Sequence, residues 1–381
     1  MNKKNLIVFI LILAILFNFT RSFHLLDLKK ITKNVFNLKY YENKYNQSQW
    51  IIPNSKNPVG DDVVYAYAGA KYILGTNPIL IMPEHPPLGK NLIGLSALYL
   101  KNEYYFSILS GVFALFSFYL LTQMLLKNKI ISLLLTIFLG FEPLFVANYF
   151  LTLLDLMILG LINLYFYFFI KYSRNKKYLY LLIDGLIFGL IISVKFYGLS
   201  LPLIISSLIF LILKKDYKGM VVYALSLSIS LLILIVNYFQ FFLKGNNLIS
   251  FLKLQKYIYL FHTLGRKNDI FLTPSLLTLI FQGRFHIGGG QFKNENHFSI
   301  FWPISFLIFL IFITKTFFEK KLRNEKTLII ILWVAIYSFF QSLTYTNARY
   351  LILLLSYLYL LSTYFLIKLI NDRSYHYHSY P

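Results

Sequence analysis

Apolar runs long enough to cross a lipid bilayer recur along the whole chain, and they restrict its fold more than any other feature. The 381 residues are 57% hydrophobic and only 14% charged, whereas soluble domains carry about 25% charged residues. So few charges cannot cover the surface of a water-soluble body of this size, which excludes a soluble enzyme and a disordered chain. The absence of cysteine excludes a disulfide-stapled domain and thiolate-based metal or redox sites.

The apolar runs predict an all-α polytopic membrane protein with about ten transmembrane helices. The first run, at 5–19, has no small-residue cleavage site after it, so a retained signal-anchor helix is expected. The other nine spans are predicted at 104–126, 130–148, 151–170, 178–195, 197–213, 219–243, 299–318, 327–345 and 349–370. No internal repeat is visible, so residues 1–381 are expected to form a single membrane domain.

The excess of basic residues predicts the orientation of these spans. Lys and Arg number 37 against 15 Asp and Glu, a formal net charge of +22, and basic residues collect in short cytoplasmic loops. With the N-terminus inside, each basic cluster between spans falls on the cytoplasmic side, so the charge is interpreted as a topology signal and no nucleic-acid partner is expected. The same alternation places two long segments, 23–103 and 244–298, outside, where function is expected.

Two adjacent aspartates, Asp61 and Asp62, precede a short helix predicted at 63–74 in the first outer segment. One of them can be the N-cap of that helix, accepting hydrogen bonds from its first amides. The other is then a charge near an apolar surface, which is energetically unfavourable and therefore indicates a function. A carboxylate at such a helix terminus is a candidate general base for deprotonating a hydroxyl.

A proline-rich turn follows, running Pro83-Glu84-His85-Pro86-Pro87-Leu88-Gly89-Lys90. The prolines fix the backbone and lack amide hydrogens, so they indicate a rigid turn that leads into a helix. They do not explain why Glu84, His85 and Lys90 cluster there. An acid, an imidazole and an ammonium together suit an anionic group, a metal or a proton-transfer chain.

Three further charges lie near the predicted outer ends of spans. Asp155 is an intramembrane carboxylate, which indicates either a functional group or a structural ion pair with a neighbouring helix. Lys195 suits a phosphate, although its ammonium can also simply reach the interface. Arg349 can bind a phosphate through two N–H groups or serve as an interfacial anchor.

The order of these motifs resembles that of the protein O-mannosyltransferase family, dolichyl-phosphate-mannose-dependent glycosyltransferases of the GT-C fold. The resemblance covers roughly residues 5–200 and rests on Asp61-Asp62, the run HPPLGK at 85–90, Leu154-Asp155 and Ser193–Leu199. It implies that Asp61 is the general base, although the family's Asp-Glu pair is Asp-Asp here and leaves the choice between Asp61 and Asp62 open. It also implies functional roles for the remaining candidates: Glu84 and His85 lining the site, Asp155 as the acidic residue of a later helix, and Lys195 and Arg349 holding the lipid phosphate.

The expected function is therefore transfer of a sugar, with mannose favoured, from a polyprenyl phosphate to an acceptor hydroxyl of a protein Ser/Thr or a glycan on the outer membrane face. Related aminoarabinose transferases share this layout, so the motifs leave the donor sugar open. The expected site groups Asp61, Asp62, Glu84 and Asp155 as catalytic residues and His85, Lys90, Lys195 and Arg349 as substrate-binding residues. No cofactor is required, and a divalent metal at Glu84 and His85 stays an alternative. The competing hypothesis is a secondary transporter or lipid flippase.

Overall fold

The computed structural model shows a helical bundle with one short β-hairpin. It describes residues 3–195, 198, 200–264, 275–288, 291–318, 324–343 and 347–376. In these ranges the hairpin pairs β1 (Arg284–Gly288) with β2 (Gln291–Asn294) in antiparallel register, and the remaining regular elements are helical. The predicted all-α class is confirmed.

The first 100 residues form a long apolar helix followed by a helical segment. The long helix is α1 (Lys3–Ser22). The predicted first outer segment then holds four short helices: α2 (Leu28–Thr32), α3 (Leu38–Asn46), α4 (Asp61–Ile73) and α5 (Leu88–Tyr99). Of these, α4 and α5 pack closely against each other, as expected for a helical platform at one end of the bundle.

Each of the ten predicted spans corresponds to an apolar helix or a bent pair of helices. Besides α1, five helices are long and apolar enough to cross a membrane: α6 (Tyr104–Leu126), α9 (Asp155–Asn175), α12 (Tyr217–Asn237), α17 (Glu325–Ser342) and the part of α18 (Ala348–His376) up to Ile370. The predicted third span is instead two helices that meet at 65°, α7 (Lys129–Gly140) and α8 (Pro143–Tyr149). Three shorter helices complete the set: α10 (Leu179–Val194), α11 (Leu201–Leu213) and α16 (Phe301–Phe318).

The centre of the bundle is α18, whose residues from 351 to 365 are buried. It contacts α9, α16 and α17, while α9 also packs against α6 and α10. A short helix, α13 (Phe239–Leu243), ends the predicted span 219–243, and the predicted second outer segment then holds α14 (Leu248–Leu264) and α15 (Ser275–Gln282). The architecture confirms an integral, multi-pass membrane protein. It also brings the start of α9, the end of α10 and the start of α18 to one end of the bundle.

A buried carboxylate stabilises the bend between α7 and α8. Glu142 is fully buried and accepts hydrogen bonds from Trp302 Nε1 at 2.8 Å, Tyr359 OH at 2.9 Å and Asn18 Nδ2 at 3.3 Å. The next residue, Pro143, begins α8, where its missing amide hydrogen removes no helical hydrogen bond. Because the three donors belong to α16, α18 and α1, Glu142 connects three helices to the bend.

Replacing Glu142 with alanine is expected to lower the free energy of unfolding by about 3 kcal/mol or more, because three buried donors lose their acceptor at about 1–3 kcal/mol each. Glu142→Gln keeps one acceptor oxygen and should lose less. Thermal unfolding of the detergent-purified protein measures both. The control is Glu325→Gln, an exposed carboxylate paired with Lys214, which should change stability by less than about 1 kcal/mol. An alanine variant as stable as this control contradicts the assignment.

Candidate active site

The two aspartates lie in the first turn of α4, and neither is its N-cap. The helix begins at Asp61, two residues earlier than predicted, and Gly60 occupies the N-cap position with no side-chain hydrogen bond. The N-cap interpretation of the pair is therefore wrong: both carboxylates sit on the helix, where the partial positive charge of its N-terminus favours them. The hydroxyl of Thr152 donates to the backbone carbonyl of Asp62 at 2.6 Å and fixes this end of α4 against the segment that leads into α9.

Asp61 forms an ion pair with Arg349, which comes from the start of α18. The two atoms, Arg349 Nη2 and Asp61 Oδ2, are 2.6 Å apart, and the side chains are 19% and 29% exposed. The same guanidinium nitrogen lies 3.2 Å from the hydroxyl of Tyr350. Because both partners keep an accessible face, the carboxylate and the guanidinium are open to a ligand while they hold each other in place.

A second ion pair, between Asp155 and Lys195, lies deeper in the protein. Lys195 Nζ is 2.6 Å from Asp155 Oδ1, and both side chains are at most 2% exposed. The ammonium also lies 4.3 Å from the centre of the Tyr350 ring, a favourable cation–π distance. Asp155 Oδ2 has no hydrogen-bond partner among the described residues. Tyr350 thus links the two ion pairs, one through its hydroxyl and the other through its ring.

The proline-rich turn places two buried polar groups beside these pairs. Glu84 is 2% exposed and His85 8% exposed, and Glu84 Oε1 and His85 Nδ1 have no partner among the described residues. Electrostatic interactions connect Glu84 with Asp61, and His85 with Lys195 and Arg349. All eight sequence-predicted residues therefore lie in or next to one region: Asp61, Asp62, Glu84, His85, Lys90, Asp155, Lys195 and Arg349.

Lys90 has a different environment from the other cations. It is fully buried, and its ammonium donates to the backbone carbonyls of Met82 at 2.9 Å and His85 at 2.7 Å. The turn has few amide hydrogens because of its prolines, so a side-chain cation satisfies its carbonyl oxygens instead. The structure thus places Lys90 behind the turn, where it fixes the backbone that carries Glu84 and His85.

Gly89 allows the proline-rich turn to pack closely beside both partners of the Asp155–Lys195 ion pair. A Cβ atom at Gly89 would lie 2.6 Å from a methyl carbon of Leu154 and 3.1 Å from one of Val194. These two residues directly precede Asp155 and Lys195 in the sequence. Glycine lets α5 begin in this position without displacing the side chain of Leu154, which accounts for the glycine in the motif HPPLGK.

The second outer segment reaches the same region through α14. His262 Nε2 lies 3.0 Å from the backbone carbonyl oxygen of Glu84, and its ring centre is 5.0 Å from that of His85. Tyr65 of α4 is fully buried with its hydroxyl unpartnered among the described residues, and it interacts electrostatically with Asp61 and Arg349. The sequence analysis missed His262, Tyr65 and Tyr350 as site residues.

Burial shifts the ionisation of the groups on the turn. Desolvation raises the pKa of Glu84, since the charged carboxylate loses water, and the neighbouring Lys90 opposes this shift only in part. Desolvation, reinforced by the positive charge of Lys90, lowers the pKa of His85 well below its usual value. At neutral pH the His85 imidazole is therefore uncharged, and it can accept or donate a hydrogen bond.

The described residues of the candidate site do not bring together enough ligand side chains for a metal centre. Within the described ranges, no group of three or more His, Cys, Asp and Glu side chains could hold a metal ion, and three protein ligands are the usual minimum for a catalytic zinc. Glu84 and His85, the pair that the sequence suggested for a divalent metal, supply only two donors.

Two solved structures of ArnT from Cupriavidus metallidurans share this fold. The structure bound to undecaprenyl phosphate matches with a TM-score of 0.57 and 12% sequence identity, over 95% of this chain and 60% of the ArnT chain. The apo structure matches with a TM-score of 0.51 and 14% identity, over 89% and 59% of the two chains. No protein-family model and no curated protein sequence matches the chain.

The match confirms the predicted GT-C fold, which is the fold of ArnT. The chain spans about 60% of the length of ArnT. At this level of identity the likeness concerns the fold, so the narrower O-mannosyltransferase family remains a prediction.

The shifted pKa of His85 predicts a loss of stability in mild acid. Because the pKa is lower in the folded state, the unfolded state takes up the proton first, and the free energy of unfolding falls as the pH drops below about 6.5. Between pH 7.5 and 5.5 the contribution of His85 is on the order of 1 kcal/mol. Chemical denaturation at both pH values should show a larger decrease for the wild type than for His85→Phe. Equal decreases contradict a neutral, buried His85.

Proposed function

We propose that this protein is a membrane glycosyltransferase that transfers a sugar from a polyprenyl phosphate to an acceptor hydroxyl, with inversion at the anomeric carbon. The GT-C fold and the undecaprenyl phosphate bound to ArnT support a lipid-phosphate donor. The expected outward orientation of the first and second outer segments supports a site on the extracytoplasmic face. Such a reaction needs a base, cations for a phosphate and a lipid-accessible location.

The observation that carries the proposal is a continuous series of charged and aromatic groups. The series begins with Asp61 and Arg349, whose charged groups are 2.6 Å apart, and Arg349 lies 3.2 Å from the hydroxyl of Tyr350. The ring centre of Tyr350 is 4.3 Å from the ammonium of Lys195, which is 2.6 Å from the carboxylate of Asp155. A carboxylate that can accept a proton thus lies directly beside two cations that can hold a phosphate. This is the arrangement needed to activate an acceptor and stabilise a leaving group together.

Asp61 is the base in the proposed reaction. Its carboxylate takes the proton of the acceptor hydroxyl while the hydroxyl oxygen attacks the anomeric carbon. The bond between that carbon and the phosphate oxygen breaks, and its electron pair leaves with the lipid phosphate. Asp62 is the weaker candidate because its carboxylate folds back towards the backbone of Gly60, where a Cβ atom would lie 2.5 Å from Asp62 Oδ1.

Arg349 and Lys195 stabilise the negative charge on the departing phosphate. Arg349 is accessible at the site, and Lys195 has N–H groups beyond the one that Asp155 accepts. Asp155 accepts a hydrogen bond from Lys195, so we assign it the positioning of that ammonium rather than contact with the sugar. Preorganised cations of this kind favour the transition state because no reorganisation is needed during the reaction.

Glu84 and His85 are the proposed ligands of the sugar. Their unpartnered buried atoms, Glu84 Oε1 and His85 Nδ1, are suited to the hydroxyls of a hexose, since buried polar atoms are normally hydrogen-bonded. We retain mannose as the sugar and protein Ser/Thr as the acceptor, so the enzyme would be a hexosyltransferase. Incubation with polyprenyl phosphates carrying mannose, other hexoses or aminoarabinose identifies the donor.

Removing the proposed base should stop catalysis without removing the donor site. In Asp61→Asn, transfer of radiolabelled sugar from a polyprenyl-phosphate donor by the purified protein should fall by about 10²–10⁴-fold, the range for loss of a general base. Binding of the lipid phosphate should persist, because Arg349 and Lys195 remain.

The matched control is Asp62→Asn, which removes the adjacent carboxylate from the same helical turn. It should retain most of the activity. Full activity in Asp61→Asn contradicts its role, and a greater loss in Asp62→Asn transfers the role to that residue. Accumulation of free lipid on the opposite leaflet of proteoliposomes, with no glycosylated product, would support the flippase alternative instead.

The buried ion pair provides a second test, on donor binding. Lys195→Met leaves Asp155 charged, buried and unpaired, which should destabilise the fold by about 3–5 kcal/mol. The double variant Asp155→Asn/Lys195→Met should restore the stability but bind the polyprenyl phosphate about 10–100-fold more weakly than the wild type, because a hydrogen bond to a charged group contributes about 1.5–3 kcal/mol.

Thermal unfolding and lipid-phosphate titration of the two variants separate the structural role from the binding role. If the double variant regains both stability and donor affinity, the ion pair is only structural. A donor affinity that stays low in a stable protein supports Lys195 as a phosphate ligand.

A further inference from the structure

Tyr350 is held on three sides, and its hydroxyl hydrogen lacks a partner among the described residues. Its backbone carbonyl accepts a hydrogen bond from the hydroxyl of Tyr337 at 3.2 Å, and its ring lies against the ammonium of Lys195, 4.3 Å from the ring centre. Its hydroxyl oxygen accepts a hydrogen bond from Arg349 Nη2 at 3.2 Å. Because a tyrosine hydroxyl is a donor as well as an acceptor, one fixed donor is left over at the candidate site.

The surroundings of this hydrogen favour an anionic acceptor. Tyr350 contacts the cation of each ion pair, Arg349 through its hydroxyl and Lys195 through its ring, and neither carboxylate of these pairs accepts its hydrogen. A cation that donates to the hydroxyl oxygen makes the hydroxyl a stronger donor, because hydrogen bonds in a chain polarise one another. Tyr350 is also partly exposed, as are Arg349 and Asp61, so it lies on the accessible side of the site.

The order of the contacts places the hydroxyl between the proposed base and the deeper cation. Asp61 is the ion-pair partner of Arg349, while Lys195 lies against the Tyr350 ring. In the proposed reaction the acceptor hydroxyl binds beside the base and the phosphate binds beside the cations. The bond that breaks therefore lies between these two positions, where a donor can reach the oxygen that the bond releases.

We propose that Tyr350 is a catalytic residue whose hydroxyl donates a hydrogen bond to the leaving oxygen of the lipid phosphate, the oxygen bonded to the anomeric carbon before transfer. The inference rests on the proposed glycosyl transfer. Asp61 takes the proton of the acceptor, the carbon–oxygen bond breaks with its electron pair on the phosphate, and Tyr350 keeps its own proton throughout. The hydrogen bond strengthens as the leaving oxygen gains charge, so it stabilises the transition state more than the bound donor.

Tyr350→Phe tests the hydroxyl alone, because it keeps the ring against Lys195. In sugar transfer from a polyprenyl-phosphate donor by the purified full chain, kcat should fall by about 100-fold, as for the loss of one oxyanion donor. KM for the donor should change by less than about threefold, since the leaving oxygen is still esterified and uncharged in the bound donor. The unfolding temperature should stay within about 2 °C of that of the wild type.

A binding comparison separates this contact from an effect through Arg349. Polyprenyl phosphate, the released product, carries charge on the leaving oxygen, whereas a polyprenyl methyl phosphate diester has that oxygen esterified. Both ligands present their other phosphate oxygens to Arg349 and Lys195. In Tyr350→Phe the affinity for polyprenyl phosphate should fall by about tenfold, the loss of one hydrogen bond to a charged group, and the affinity for the diester by less than about twofold.

The matched control is Tyr357→Phe, seven residues further along α18. Tyr357 is fully buried and donates a hydrogen bond to Asn163 Oδ1 at 2.7 Å, so its hydroxyl has a structural partner. This variant should lower the unfolding temperature by about 1–3 °C. It should keep kcat and both affinities within about twofold of the wild type.

Three results in Tyr350→Phe would overturn the inference while the wild type still transfers sugar. They are an unchanged kcat, an equal loss of affinity for polyprenyl phosphate and the diester, which would make Tyr350 a positioning residue for Arg349, and a raised KM with unchanged product affinity, which would indicate contact with the sugar. Absence of transfer by the wild type contradicts the proposed function itself, and the inference with it.

Discussion

The buried ion pair between Asp155 and Lys195 is the interaction on which the candidate site depends. Taking two charges out of water is unfavourable, and their attraction compensates for it only when the geometry is good and the remaining polar atoms are satisfied. Here the distance is 2.6 Å, but Asp155 Oδ2 has no partner among the described residues. The pair holds the Lys195 ammonium beside the ring of Tyr350, 4.3 Å from its centre, and this contact fixes the deeper half of the candidate site.

The backbone around the pair explains why the proline-rich turn has its particular sequence. Prolines make the turn rigid but leave carbonyl oxygens without amide partners, and Lys90 donates to two of these oxygens. Gly89 then allows the start of α5 to contact Leu154 and Val194, the residues that precede the ion pair. One short motif thus supplies rigidity, internal hydrogen bonding and close approach. A loop with this degree of constraint can hold Glu84 and His85 in fixed positions.

The sequence predicted the parts of this structure that depend on local patterns. The apolar runs located all ten apolar elements of the bundle, and the rarity of charge in them identified Asp155 and Lys195. The sequence did not predict that Arg349 pairs with Asp61, because the packing of α18 brings these distant parts of the chain together. The role of His262 was missed for the same reason, because its contact with Glu84 joins distant parts of the chain. Tyr350 was missed because one more tyrosine in such an aromatic chain carries no signal until its neighbours are known. The bend at Glu142 was missed although Pro143 marks it.

The contact between Asp61 and Arg349 has a chemical consequence for the proposed reaction. Before reaction, the guanidinium is partly neutralised by the carboxylate 2.6 Å away. When Asp61 accepts the proton of the acceptor it becomes neutral, and the attraction that held Arg349 is weakened at the moment when negative charge develops on the leaving phosphate. The same proton transfer thus activates the nucleophile and increases the positive charge available to the leaving group. Because the base and the phosphate ligand are partners in the resting site, deprotonation of the acceptor is coupled to departure of the phosphate. Two residues that did not contact each other would not couple these steps, even at the same distances from the substrate.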